Sequence, residues 1–192
     1  MPSSNESTGP TEATTSENGD TTMAEPQTPD TNLIFSYEKG VDIQDPAKPD
    51  TWIPVRYASD LNPQVEVKEI DAATYDDKGA DHMIKVGEST TLSFTVLAYA
   101  LGTDGKYFPE VEILKAATEP DANGTKATVK VRYYDKPSGS RKPNPDDAYE
   151  ITATVSMTRV NTGVADKEAF QFTLKAQGPR KKITNPYKPE TA

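Results

Sequence analysis

The clearest alternation of apolar and polar side chains lies between residues 88 and 117. In the segment 91–98, Leu92, Phe94 and Val96 fall on one face of an extended chain, and Ala98 continues that face. The positions between them are threonine or serine. This period of two predicts a half-buried β-strand with its apolar side facing a core.

A helix is predicted directly after this strand. A turn is indicated by Gly102-Thr103-Asp104-Gly105, and Pro109 suits the first turn of a helix because its φ angle is already helical. Apolar residues then recur every three positions, and Pro120 cannot continue the helix. The resulting apolar face, which would pack on the sheet, consists of Phe108, Val111, Leu114 and Ala117.

Six further segments have the composition or alternation of strands. Trp52 is interpreted as a core anchor, and Pro54 places its strand at an edge of the sheet or at a bulge. Asn62-Pro63 predicts a turn, and residues 71–83 form a long polar loop. The six segments are residues 33–37, 52–56, 65–69, 127–133, 149–158 and 170–177. Seven or eight strands with one flanking helix predict a mainly β fold, a β-sandwich or barrel.

Charge divides the chain of 192 residues into parts. Residues 1–32 hold six acids and no base, so they account for six of the nine net negative charges. They are predicted to be a disordered acidic tail, residues 33–180 a β-sandwich domain, and residues 181–192 a flexible tail. The mild acidity of the remainder argues against a tight nucleic-acid binder, whose affinity comes from Lys and Arg.

The composition also gives expectations about location. There is no cysteine, which suits a reducing compartment. No apolar run approaches the roughly 18 residues of a membrane helix, and no secretory signal pattern is present. A soluble protein that is not secreted through a signal peptide is expected.

Candidate catalytic and metal-binding residues are few. His82 is the single histidine, and no nucleophile motif is found near it. Asp76, Asp77 and Asp81 are close in sequence, but the spacing of a calcium loop is missing. The expectation is therefore a protein that is not an enzyme and needs no cofactor or metal.

The order of elements, with several short motifs, resembles the major tail tube proteins of long-tailed, non-contractile bacteriophages. The resemblance covers residues 52–185, and its most specific motif is D-x-x-T-Y-D-D-x-G at residues 71–79. It is supported by Thr51-Trp52-Ile53-Pro54-Val55, Gly87, the helix of residues 107–117 and the closing segment 173–178. The acidic residues 1–32 depart from the pattern of many relatives.

This resemblance implies a β-sandwich subunit that forms hexameric rings, which stack into a tube for DNA delivery into the host. It implies a virion protein made in the host cytoplasm, with the tape-measure, tail terminator and distal tail proteins as partners and no membrane. Genomic DNA would pass without sequence-specific binding. The long loop would contact the next ring through Asp71, Thr74, Tyr75, Asp76, Asp77, Lys78, Gly79, Asp81, His82 and Met83.

Strand alternation gives a candidate lumen face, because a channel wall would use the polar side of a strand whose other side is buried. Its candidate residues are Thr152, Thr154, Ser156, Thr158, Gln171, Thr173 and Lys175. The same pattern also fits an ordinary solvated outer surface.

Two other functions fit the sequence. One is a monomeric β-sandwich adhesion or carbohydrate-binding module that uses Tyr133, Tyr134 and Tyr149 as an exposed platform. The other is a tube protein of a contractile injection machine.

Overall fold

A single curved antiparallel sheet dominates the computed structural model, which describes residues 31–189. This part of the chain has ten strands and one α-helix, α1 (Pro109–Ala116). The strands are β1 (Lys39–Asp45), β2 (Lys48–Pro54), β3 (Ala58–Asp71), β4 (Met83–Leu97), β5 (Ala100–Leu101), β6 (Lys106–Tyr107), β7 (Thr128–Asp135), β8 (Ala148–Val160), β9 (Ala169–Ala176) and β10 (Lys181–Lys182). The predicted mainly β fold with one helix is confirmed.

The sheet order is β2-β1-β7-β8-β9-β4-β3, and β10 pairs with β8. Every neighbouring pair is antiparallel. β5 and β6 form a separate two-stranded hairpin immediately before α1.

The two outer strands of the sheet, β2 and β3, are joined by only three residues. The Val55 amide donates to the Val41 carbonyl in β1 at 2.9 Å, and the Leu97 amide of β4 donates to the Tyr57 carbonyl at 3.3 Å. This short segment therefore bridges both edges of the sheet and closes it into a barrel at one corner. Tyr57 has a φ of 55°, which is strained for a bulky side chain, and its ring packs on Tyr99 with the centroids 4.5 Å apart.

The core lies inside this barrel, as the alternation predicted. Leu92, Phe94 and Val96 of β4 are buried, and the Phe94 ring packs on Phe172 of β9 at 5.8 Å. Val111 and Leu114 bury one face of α1 against the same core. Each of the large side chains contributes about 2 kcal/mol by leaving water.

Two strand assignments differ from the sequence prediction. Residues 33–37 are not a strand, because the chain turns at Ser36 and Tyr37 and β1 begins only at Lys39. The Glu38 carboxylate stabilises this turn by accepting a hydrogen bond from the Phe35 amide. The predicted turn at Asn62-Pro63 is also wrong, since β3 continues through it with an irregularity between Ser59 and Asn62.

Trp52 is not a core residue. It lies half-buried on β2, with the Arg132 guanidinium 4.5 Å from its ring centroid. β2 is the terminal strand of the sheet order, as Pro54 indicated, and an outer strand offers its side chains fewer neighbours.

Residues 181–192 were predicted to be a flexible tail, and the structure ties the start of this segment to the barrel. Lys181 and Lys182 pair with β8, and the Ile183 amide donates to the Ala148 carbonyl at 3.0 Å. The Asn185 side-chain amide then donates to the Asp135 carbonyl at 2.8 Å. The predicted tail of residues 1–32 lies, up to residue 30, outside the described residues.

Candidate functional site: a polar sheet face and a hairpin arm

Strand pairing brings the seven predicted lumen residues together on the outer face of β8 and β9. Thr154, Ser156 and Thr158 lie directly opposite Lys175, Thr173 and Gln171, respectively. Residues directly opposite each other in an antiparallel pair point to the same side of the sheet. The two strands therefore form one continuous polar patch, and Thr152 extends it along β8.

The patch extends across three more strands in the same register. Thr91, Ser93 and Thr95 of β4 lie opposite the β9 residues, and β3 continues the rows with neutral side chains. β7 adds Thr128 opposite Thr154, but its next outward residue, Lys130, lies opposite Thr152 and marks the edge of the neutral surface. Of the fourteen residues, only Lys175 is charged. The polar face, as this set is called below, consists of Ser59, Asn62, Gln64, Thr91, Ser93, Thr95, Thr128, Thr152, Thr154, Ser156, Thr158, Gln171, Thr173 and Lys175.

Few hydrogen bonds within the polar face use its hydroxyl groups. The Ser156 hydroxyl donates to the Thr173 carbonyl at 3.1 Å, and Gln177 donates to the Thr154 hydroxyl at 3.0 Å. Charge appears at its margin, where Lys130 lies 3.3 Å from Glu150. A surface of this kind hydrates well and offers phosphate groups almost no fixed counter-charge.

The residues on β3, β4 and β7 were missed by sequence analysis. The alternation of Thr91, Ser93 and Thr95 was visible, but nothing in the sequence showed which strands would pair with β4. Register is decided by long-range packing of the buried side chains, so only the folded sheet joins the rows.

β3 and β4 project beyond the barrel as a two-stranded hairpin. β4 pairs with β9 only from Thr91 to Leu97, whereas its pairing with β3 continues to the Asp71–Met83 pair. This projecting part, residues 65–90 including the connecting loop, is called the hairpin arm below. Its base is contacted by the C-terminal segment, where the Arg180 guanidinium donates to Glu88 at 3.2 Å.

The hairpin arm exposes an unusual number of apolar side chains. Ile70 lies directly opposite Ile84, and Met83 is the first residue of β4. These side chains, together with Val67 and Val86, are between 43% and 57% exposed. Successive strand residues point to opposite faces, so Met83 lies on the other face of the arm from Ile70 and Ile84, and apolar side chains are exposed on both faces. Exposed apolar side chains on a projecting element favour an interaction surface.

The loop at the tip carries the predicted inter-ring residues, from Asp71 to Met83, with a 3₁₀ turn at Tyr75–Asp77. Hydrogen bonds from the Thr74 amide and hydroxyl, at 2.6 and 2.8 Å, lower the pKa of Asp77. His82 lies 3.5 Å from the same carboxylate. The Tyr75 side chain is fully exposed, so an internally bonded loop presents one unpacked aromatic ring.

The tyrosine platform of the carbohydrate-binding hypothesis is not formed. Tyr133 and Tyr134 are 5% and 8% exposed, and Tyr149 is half-buried. The Tyr134 hydroxyl donates to Asp42 at 3.0 Å, and burial, with the adjacent Asp42, raises the pKa of Tyr134. These rings fill the space at the end of β7 instead of facing solvent.

Among residues 31–189, no group of three or more His, Cys, Asp or Glu side chains is arranged to hold a metal ion. No helix in the same range is long and apolar enough to cross a membrane.

Comparison with known proteins gives a match to a solved structure. The sequence matches no protein-family model and no curated protein. The cryo-EM structure of the anti-feeding prophage cap, described as a tube terminating cap, aligns with a TM-score of 0.51 and 13% identity. The alignment covers 85% of this chain and 99% of that chain. At this identity, the match shows that the two proteins share a fold.

Proposed function

We propose that this protein is a structural component of a phage tail, whose subunits form hexameric rings that stack into a tube for passing DNA. Its role is then mechanical and not catalytic, and its location is the virion after synthesis in the host cytoplasm. Its further partners are the tape-measure, tail terminator and distal tail proteins.

The observation that carries this proposal is the polar face. It spans five adjacent strands and contains thirteen neutral polar residues and one lysine, with a second lysine, Lys130, at its edge opposite Thr152. A wall of this composition in a closed ring is wetted by water and holds no array of cations against the DNA backbone. Tight phosphate binding would stop DNA from sliding, so this surface suits a conduit.

The hairpin arm supports the assembly part of the proposal. Its apolar residues Ile70, Met83 and Ile84 have no covering element in the described chain, and Tyr75 is fully exposed at its tip. Burial of these groups against a neighbouring subunit would remove them from water. The arm is therefore the proposed contact between successive rings, and head-to-tail contacts of this type generate rings or filaments.

A second candidate is a cap that terminates a tube. It is favoured by the structural match, because the printed description of that neighbour is a tube terminating cap. A cap stacks once, whereas a tube subunit stacks on both sides. The proposed tube subunit should therefore grow filaments by itself, and a cap should stop at single rings.

Electron microscopy of the purified full chain over a range of concentrations tests the proposal. Stacked rings that lengthen with concentration are expected. Single rings that never stack would support the cap, and a monomer at every concentration would exclude both candidates.

A further inference from the structure

The hairpin arm leaves the sheet at the level where β9 ends. Thr91 of β4 pairs with Lys175, and β9 stops one residue later at Ala176. In the described chain, residues 83–90 of β4 pair only with β3. The arm is thus a two-stranded ribbon attached to the barrel at one end, and a ribbon of this kind needs a further contact to hold one direction.

The chain bulges immediately after β9, beside the base of the arm. Residues 177–180 lie between the pairs that β8 makes with β9 and with β10, and they face only two residues of β8. Gly178 permits this path, because its φ of 139° is rarely adopted by other residues. The bulge is fixed at both ends, by a 2.8 Å hydrogen bond from the Gln177 amide to the Thr152 carbonyl and by the pairing of β10. The backbone of Arg180 is therefore held in a defined position.

The Arg180 side chain joins this bulge to the arm. Its guanidinium donates to the Glu88 carboxylate at 3.2 Å and lies 4.5 Å from the Tyr149 ring centroid. Tyr149 packs in turn on buried Tyr133, with the ring centroids 5.6 Å apart. Glu88 also accepts a hydrogen bond from Lys85 within the arm, at 3.2 Å. A planar guanidinium can stack on a ring and hydrogen-bond at its edge at the same time, so one side chain connects the barrel wall with the arm.

We propose that Arg180 is a positioning residue that fixes the direction of the hairpin arm before another subunit binds it, which rests on the proposed function of the arm as the contact between rings. An arm that samples many directions is in the binding direction for only a fraction of the time, and its apparent affinity falls by that fraction. The side chains of Arg180 and Glu88 are only partly buried, so their ion pair adds little to the stability of the fold. Its effect is on assembly.

The direction of the arm can be measured in a single copy of the chain. Because the chain has no cysteine, spin labels can be attached at Glu69→Cys, an exposed position on the arm, and at Thr51→Cys, an exposed position on β2. Labelled chains are mixed with an excess of unlabelled chains, so that pulsed electron paramagnetic resonance reports distances within one copy. A narrow distance distribution is expected with Arg180 present, and a broader one with Arg180→Gln.

Two further variants make this comparison specific. Glu88→Gln removes the same contact from the other side and should also broaden the distribution. Lys181→Gln removes the same charge at the next residue, which is exposed, and should leave the distribution narrow.

Assembly is then measured on the same variants without labels, by electron microscopy over a range of concentrations. If the freed arm spends about a tenth of its time in the binding direction, Arg180→Gln and Glu88→Gln need about tenfold more protein to form stacked rings. Their melting temperatures should stay close to that of the wild type. Lys181→Gln should stack at the wild-type concentration.

Equally narrow distributions for the wild type and Arg180→Gln would overturn the inference, as would a wild-type distribution that is already as broad as that of the variant. A broadened arm with unchanged stacking would overturn the role of this contact in assembly. Wild-type protein that never stacks, but shows the expected change in distances, would contradict the proposed function and support the positioning of the arm by Arg180.

Discussion

The Arg56 guanidinium binds the fully buried carboxylate of Glu110 through two parallel hydrogen bonds, 2.9 and 3.0 Å long. Arg56 lies in the three-residue segment that closes the barrel, and Glu110 is in the first turn of α1. Burial raises the pKa of Glu110, but the bonds from Arg56 outweigh it, so the pKa is lowered overall. The pair therefore ties the helix to the closure of the sheet.

Arg56→Ala should reduce the free energy of unfolding by about 3 kcal/mol, because it leaves a buried carboxylate without its cation. Urea unfolding measures the change. Arg159→Ala is the matched control, because its ion pair with Glu168 has both side chains largely exposed, and it should cost less than about 1 kcal/mol. Equal losses for the two variants would contradict the importance of the Glu110 contact.

Acid should weaken the fold through Glu38. Its carboxylate accepts hydrogen bonds from the Ser138 hydroxyl and amide, which lower its pKa from 4.5 to about 2. A lowered folded-state pKa stabilises the protein above pH 4.5, and this stabilisation is lost as the pH falls toward 2. Arg141 likewise lowers the pKa of Asp135 by hydrogen bonding, so the two carboxylates act in the same direction.

Thermal melts from pH 5 to pH 2 check this dependence. The Glu38→Gln variant should have a lower melting temperature at pH 5 and a shallower decline below it. Glu119→Gln, at an exposed position, should follow the wild type. A Glu38→Gln protein with the full acid dependence would show that other groups cause it.

The tip loop should be needed for stacking and not for folding. Since Asp71 and Met83 are directly paired, residues 72–82 can be replaced by Asn-Gly, which closes a two-residue hairpin turn. The variant should melt cooperatively near the wild-type temperature but form no tubes in micrographs. Tubes of normal length from this variant would show that the loop is not part of the contact between rings.

A matched control exists at the β8–β9 hairpin. Val160 and Ala169 are paired, so residues 161–168 can be replaced by the same Asn-Gly turn. This shortening removes a similar number of exposed residues from another part of the barrel. It should leave tube formation unchanged.

Positive charge on the polar face should make tubes retain DNA. With Thr154→Lys and Ser156→Lys, a ring of six subunits gains about twelve cations, enough to hold DNA at low salt. Tubes assembled with short duplex DNA are treated with nuclease and sedimented. Protected DNA is expected in the double variant and not in the wild type.

Thr103→Lys with Thr162→Lys adds the same charge in exposed loops outside the polar face. DNA bound by this control should be digested, because it would lie on the outside of the tube. Equal digestion in both variants would show that the polar face does not line the lumen.

Local pattern in the sequence determined the β class, the inner face of β4, the helix α1 and the long polar loop. Each depends on side chains that are neighbours along the chain, such as the alternation of Leu92, Phe94 and Val96. The same pattern failed at residues 33–37, where apolar composition indicated a strand. Hydrogen bonds from Phe35 and Ser138 to Glu38 turn the chain there instead.

Only the tertiary structure decided how the strands pair, because register depends on contacts between residues far apart in sequence. The pairing placed Thr154 of β8 beside Lys175 of β9, and Lys175 beside Thr91 of β4. The polar sides of three separate strands thereby became one continuous polar face. The tertiary structure also buried Tyr133 and Tyr134 and left Ile70 and Ile84 exposed. Composition alone cannot tell the buried tyrosines from the exposed isoleucines. Burial depends on which residues the folded barrel covers and which project beyond it into solvent.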